Sequence, residues 1–153
     1  MQSHDTGQQH MRVVYTSIHG GIGEQARLSL IQEAAELNAK RSIAGILVVA
    51  EEDFLGVIEG TPIVVTTSLL NIARDHRHHS MKILCAETLK VRMCDDWKVL
   101  DLAELQESER CLVHPMVTAA VGATQFDSVE LAAMISSLAT MTRGVGPRLI
   151  AGS

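Results

Sequence analysis

The sequence predicts an α+β fold, and three observations carry that prediction. Over the first two thirds of the chain, apolar residues switch repeatedly between a strand-like and a helix-like period; the breaks fall on glycine, proline and acidic clusters; and the last third keeps helical spacing alone.

The elements follow in order. Residues 1–10 are polar, contain Gly and His, and are expected to be disordered. Arg12-Val13-Val14-Tyr15-Thr16-Ser17 is β-branched and aromatic, and Gly20-Gly21 closes it, which predicts a first strand. From Glu24 to about Leu37 the period changes: Leu28, Ile31 and Ala35 form one stripe and Leu30, Ala34 and Leu37 an adjacent one, which predicts a helix with a broad apolar face. Ile43 to Ala50 and Phe54 to Ile58 are apolar runs joined by the polar turn Glu51-Glu52-Asp53, a hairpin of two buried strands. Pro62 suits a first helical turn, and Val65, Leu69, Ile72 and Ala73 recur at helical spacing up to the charged Arg74-Asp75-His76-Arg77-His78-His79. Lys82–Leu89 and Trp97–Leu102 have strand character. The order βαββαββ is that of a ferredoxin-like sheet with two helices on one face.

Beyond residue 102, Asp101 with Glu104 and Asp127 with Glu130 stand at capping-box spacing, predicting two C-terminal helices or three short ones. The last places Leu131, Met134, Ile135, Leu138 and Met141 on one stripe, and Gly144 marks its stop. Such a stripe requires cover, from the other face of its own sheet or from a partner subunit. The organisation expected is a disordered start (1–10), a sheet domain (11–102), a helical extension (103–143) and a flexible tail (144–153).

The chain has 153 residues, 46% of them hydrophobic, a mean hydropathy of +0.16 and a net charge of −5, which suits one compact domain. No apolar run approaches the roughly 20 residues that span a bilayer, and the start lacks the parts of a secretory signal, so a soluble, cytoplasmic protein is expected, with no membrane partner. Cys85, Cys94 and Cys111 are widely spaced without a CxxC pair, so they read as small core residues and no metal site is expected. An acidic balance with few aromatics argues against nucleic acid as a partner. No nucleophile elbow, P-loop or GxGxxG is present, so no catalytic residue is assigned.

One set of spaced segments carries more. Tyr15-x-Ser17, Asn38, Ile43-Ala44-Gly45-Ile46-Leu47, Phe54, Ile58-Glu59-Gly60, Arg74–Ser80, Val91-Arg92 and Trp97 occur in the order, and between Asn38 and Trp97 at the spacing, of the blue-light-sensing flavin (BLUF) family. The chain resembles that family over about residues 12–102. The resemblance implies a flavin, FAD or FMN, lying between the two helices, with an output read by the C-terminal helices, by a protein partner or by a homo-oligomer such as a dimer. It further implies Tyr15 as electron and proton donor, Asn38 as the amide at the ring edge, Leu30, Ile31 and Ile72 along the ring, and Arg77 and His78 near the ribityl-phosphate end or holding the second helix's terminus.

The sequence departs from the family at the centre of that site. Gly56 stands where the family has its switch glutamine, Val99 where it has a methionine, and Ala34, Leu37 and Asn71 where polar or basic residues are common. Glycine offers no amide to reorganise, so the expectation is a sensory or regulatory domain without the red-shifting photocycle. The alternative is a cofactor-free interaction or oligomerisation domain of the same descent. Each residue also has a plainer reading. Tyr15 suits a core strand, Asn38 a left-handed helix cap, His76, His78 and His79 a solvated helix end, and Trp97 packing. Gly56 fits either a space left for ligand or water or a close approach by a neighbour.

Overall fold

The structure, a computed structural model, describes residues 9–143. Its elements are β1 (His10–Ile18), α1 (Glu24–Lys40), β2 (Ala44–Val49), β3 (Asp53–Gly60), α2 (Pro62–Arg74), β4 (His79–Leu89), β5 (Trp97–Asp101), a one-turn 3-10 helix (Leu102–Glu104), α3 (Glu107–Gly122) and α4 (Ser128–Arg143). The strands form one sheet in the order β4-β1-β3-β2-β5, antiparallel throughout except for the parallel β2–β5 pair. This is the ferredoxin-like arrangement expected, extended by one edge strand.

Strand alternation divides the sheet into two buried faces. Val13, Tyr15, Leu47, Val49, Phe54, Ile58 and Val99 point to the front, where α1 and α2 lie. Val14, Ile46, Val48, Leu55, Val57 and Leu100 point to the back, against Val113, Val117 and Ala120 of α3 and Leu131, Met134, Ile135 and Leu138 of α4. The C-terminal stripe therefore covers its own sheet. Continuous apolar runs in β2 and β3 are the signature of strands buried on both faces, and all six residues of β2 are buried. Among the described residues no helix is long and apolar enough to cross a membrane.

Several sequence expectations need correction. α1 runs to Lys40, so Asn38 is not its cap; the left-handed residue is Ser42, at φ 56°. Only Leu30 and Ile31 of the two α1 stripes are buried: Leu28 is 45% exposed, and Ala34 and Leu37 border a cleft instead of lying on the sheet. In α2, Ala73 is exposed and the unremarked Ser68 is buried. Asp101 caps only the 3-10 turn, its carboxylate accepting from Ala103 N, while the long helix starts later under a Gln106–Glu109 capping box. β4 begins at His79, three residues before the apolar run, and β1 begins at His10, inside the stretch expected to be disordered. Of the cysteines only Cys94 is buried; Cys85 is half-buried and Cys111 exposed. Gly144 and the tail lie outside the described residues.

Candidate functional site

The front layer leaves a cleft between α1 and α2, floored by Tyr15, Leu47, Phe54 and Trp97 of the sheet. Leu30, Ala34, Leu37 and Asn38 of α1 form one wall, and Ser68, Asn71 and Ile72 of α2, with Asp75, Arg77 and His78 beyond it, form the other. Six of the eight residues singled out from sequence border this one space: Tyr15, Leu30, Asn38, Ile72, Arg77 and His78. Ile31 and Gly56 do not. Ile31 turns into the core with Leu30, Leu47, Val49, Phe54 and Val99.

Gly56 is screened from the cleft by Tyr15. The two are cross-strand partners in the β1–β3 register, and the phenol ring lies over the glycine. A Cβ at position 56 would sit 2.2 Å from Tyr15 Cε1, 2.4 Å from Cζ and 2.7 Å from the hydroxyl oxygen. Of the two readings open in the sequence, a neighbour fills the space, and there is no void at Gly56. On its other side β1 has an irregularity in the β1–β4 register between Val14 and Tyr15. Tyr15 is 3% exposed, and burial pushes its phenol well above the ordinary value, so it stays protonated.

Three buried polar atoms on lining residues have no hydrogen-bond partner among the described residues: Ser68 Oγ, His78 Nδ1 and Trp97 Nε1. Buried polar groups are normally satisfied, so three around one apolar space mark a place where a polar guest would be answered. His78 illustrates how the fold sets this up. Its Nε2 donates to the Ile72 carbonyl at 2.6 Å, stitching the end of α2, which leaves Nδ1 buried and unanswered. His78 is thus buried, contrary to the solvated helix end expected; His76 and His79 are exposed. Phe54 meets the His78 ring edge-on at 5.7 Å.

Two polar bridges cross the mouth. Arg77 Nη2 donates to Glu33 Oε1 of α1 at 3.0 Å and to Asp75 Oδ2 at 2.6 Å. The Arg77 hydrogen bonds hold both carboxyls below the usual carboxylate range. On the other side, with the Asn71 amide turned so that its oxygen meets the guanidinium, it accepts from Arg41 Nη1 and Nη2, each at 3.0 Å. The cleft encloses about 120 Å³, comparable to a cavity that takes a single aromatic ring. A larger heterocycle needs mouth residues such as Leu37, already 43% exposed, and Asn71 to move aside.

Sequence reasoning passed over Ser68 as a site residue, used Phe54 only as a motif marker and read Trp97 as a motif marker and packing residue. A serine three residues after Val65 and four before Ile72, on the same apolar stripe, was the available signal. It also took Glu59 as a motif letter. That carboxylate is fully buried, bonded to Arg12 at 2.9 Å and accepting from Met93 N and Cys94 N.

Comparison with known proteins bears on this arrangement. The family model for BLUF, sensors of blue-light using FAD, matches residues 11–100. Among solved structures, the dark state of the BLUF protein BlrB is similar with a TM-score of 0.68 and 22% identity, over 85% of this chain and 97% of that one. The photo-activated state of BlsA gives a TM-score of 0.68 at 21% identity, over 84% and 94%. A bacterial light-regulated adenylyl cyclase gives 0.59 at 24% identity, over 72% of this chain and 33% of the cyclase. At these identities the structural likeness bears on the fold alone. No curated protein sequence matches the chain closely enough to count as a relative.

Proposed function

The chain belongs to the BLUF family, sensors of blue-light using FAD, and from that premise we propose that it is a flavin-binding sensory or regulatory domain whose site lacks the glutamine switch. The observation that carries the proposal is the trio of unanswered polar atoms, on Ser68, His78 and Trp97, around a cleft between two helices whose floor is apolar and whose charged groups stand at the mouth. Apolar walls with a few fixed polar groups suit a flat heterocycle.

In this reading Leu30, Ala34 and Ile72 sandwich the ring, Asn38 and Ser68 hydrogen-bond its polar edges, and Arg41 and Arg77 flank the mouth where a phosphate-bearing tail would leave. A bound flavin supplies the absorption of blue light. Tyr15 keeps its proton at neutral pH and is near enough to border the ring. The residue opposite it, Gly56, has no side chain to exchange hydrogen bonds, so the two-state amide on which a lasting spectral shift depends is missing. Signal output, if it runs through α3 and α4 to a protein partner or a second copy, must start from another change in the front layer.

The test is to purify the protein, add FAD, remove excess by gel filtration and record the visible spectrum before and after blue light. Flavin bands that co-elute, with no lasting red shift on illumination, are expected; a lasting red shift refutes the role given to Gly56. A second reading, a cofactor-free interaction domain, is favoured by the one-ring volume and the two bridges across the mouth, and a protein that elutes colourless after incubation with excess FAD selects it.

A further inference from the structure

A second cavity, of about 460 Å³, lies where β2 and β5 end. Three parts of the fold meet there: His19 and Arg27 from the end of β1 and the start of α1, Glu51 from the β2–β3 turn, and Asp101, Arg110 and His114 from the end of β5 and from α3. Arg110 and His114 are four residues apart, so one face of α3 presents both.

The cations here outnumber the carboxylates free to meet them. Arg27 Nε is paired with Asp101 Oδ2 at 2.9 Å, and the other Asp101 oxygen accepts from Ala103 N at 3.1 Å, so this carboxylate is in use on both sides. Among the described residues, the outer nitrogens of Arg27 make no further hydrogen bond, and no carboxylate pairs with Arg110. The Arg110 Nη1 donates only to the carbonyls of Leu102, at 3.1 Å, and Leu105, at 2.7 Å. His19 is saturated: its Nδ1 accepts from Gly21 N and Ile22 N, and its Nε2 donates to Ala50 O, so it serves as wall. Among the described residues that line the cavity, Glu51, exposed at the rim, is the one carboxylate left to oppose an anion. A half-buried guanidinium balanced only by carbonyl dipoles, beside a second with free donors, is unusual in a chain of net charge −5.

We propose that this cavity binds a small oxyanion, a carboxylate or a phosphate, between Arg110, His114 and the outer guanidinium nitrogens of Arg27. The planar forks of the two arginines match two oxygens on one centre. Such a ligand touches α1 of the front layer and α3 of the back layer together and so fastens one to the other. It also shares a wall with the cleft, because the His19 ring packs on Phe54 with centroids 4.7 Å apart and the planes tilted by 49°. The inference stands whatever occupies the cleft.

The full chain is titrated with inorganic phosphate and, separately, with succinate, each against chloride at matched ionic strength, with amide chemical shifts as readout. Saturable shifts at Ala50, Ala103 and the Arg110 turn are expected with at least one of the two, and which one saturates names the ligand class. Arg110→Gln is expected to weaken binding by about tenfold or more, the loss of a charge-assisted hydrogen bond. Shifts that match those in chloride, or an Arg110→Gln protein that binds equally well, overturn the proposal. Should Arg110→Gln unfold the chain, His114→Gln at an exposed position decides: weaker binding supports the site, and unchanged affinity sinks it.

Discussion

A glycine opposite a tyrosine across two antiparallel strands gives the ring a flat place to lie, and at Gly56 the ring takes it. Any Cβ there collides with Tyr15, so Gly56→Ala is expected to destabilise by about 1–3 kcal/mol, the usual cost of overpacking a close-packed core. Most of that loss should vanish in a Tyr15→Ala background, a double-mutant coupling readable from urea unfolding; a Gly56→Ala protein as stable as the parent contradicts the packing described. The same contact shows why Gly56→Gln is not a simple restoration, since the amide enters only if Tyr15 swings away. Tyr15 also sets a pH dependence. Its folded phenol holds a proton that the unfolded chain gives up near the ordinary value of 10, so folding binds the proton more tightly and its contribution is complete below that pH. Stability is therefore expected to fall as pH rises above about 10. As the chain's one tyrosine, it can be followed by its ultraviolet absorbance, and phenolate forming in the folded state near pH 10 counts against the burial described.

Between elements, a few buried charges do the fastening. Arg12 of β1 joins Glu59 of β3 and Glu87 of β4, and Glu59 also receives two backbone N–H groups from the loop before β5, so four segments are tied through the Arg12–Glu59 pair. Removing one member strands the other charge in the core, and Arg12→Met is expected to cost about 3–5 kcal/mol by chemical denaturation. A cost near that of an exposed pair shows the cluster to be wetter than described. Lys82 of β4 plays a lighter part: its ammonium donates to the Val121 carbonyl at 2.6 Å and to that of Ala123, holding the end of α3 to the sheet. Lys82→Met should speed amide exchange in the last turn of α3 while leaving the centre of β1 and β3 protected. None of these partners was visible in the sequence, where Arg12 and Glu59 stand 47 residues apart.

At the scale of the whole molecule, the sheet is buried on both sides by helices from different parts of the chain. The back-face core runs without a break from Val14 and Val57 through Leu100 to Val117 and Ile135, so the sheet and its C-terminal helices share one hydrophobic core. A single cooperative transition is expected for the full chain, followed by circular dichroism and tryptophan fluorescence from Trp97 together. A chain ending at Leu105 would uncover Ile46, Val48, Leu55 and Leu100, and it is expected to bind a hydrophobic dye and lose that transition. A monomeric, cooperatively folding fragment of that length would show that the helices are an appendage.

The sequence by itself determined the element order, the double burial of the hairpin strands, the amphipathic last helix and the family, because periodicity and turn residues act over short stretches and ordered motifs survive as spacing. It also located six of the residues that border the cleft. Only the tertiary structure decided that Asn38 lies inside its helix, that His78 turns inward, that Ile31 belongs to the core, and that Tyr15 occupies the room above Gly56. The last three of those outcomes depend on which side chain from a distant segment reaches a given point first, and steric competition of that kind leaves no periodic trace along the chain.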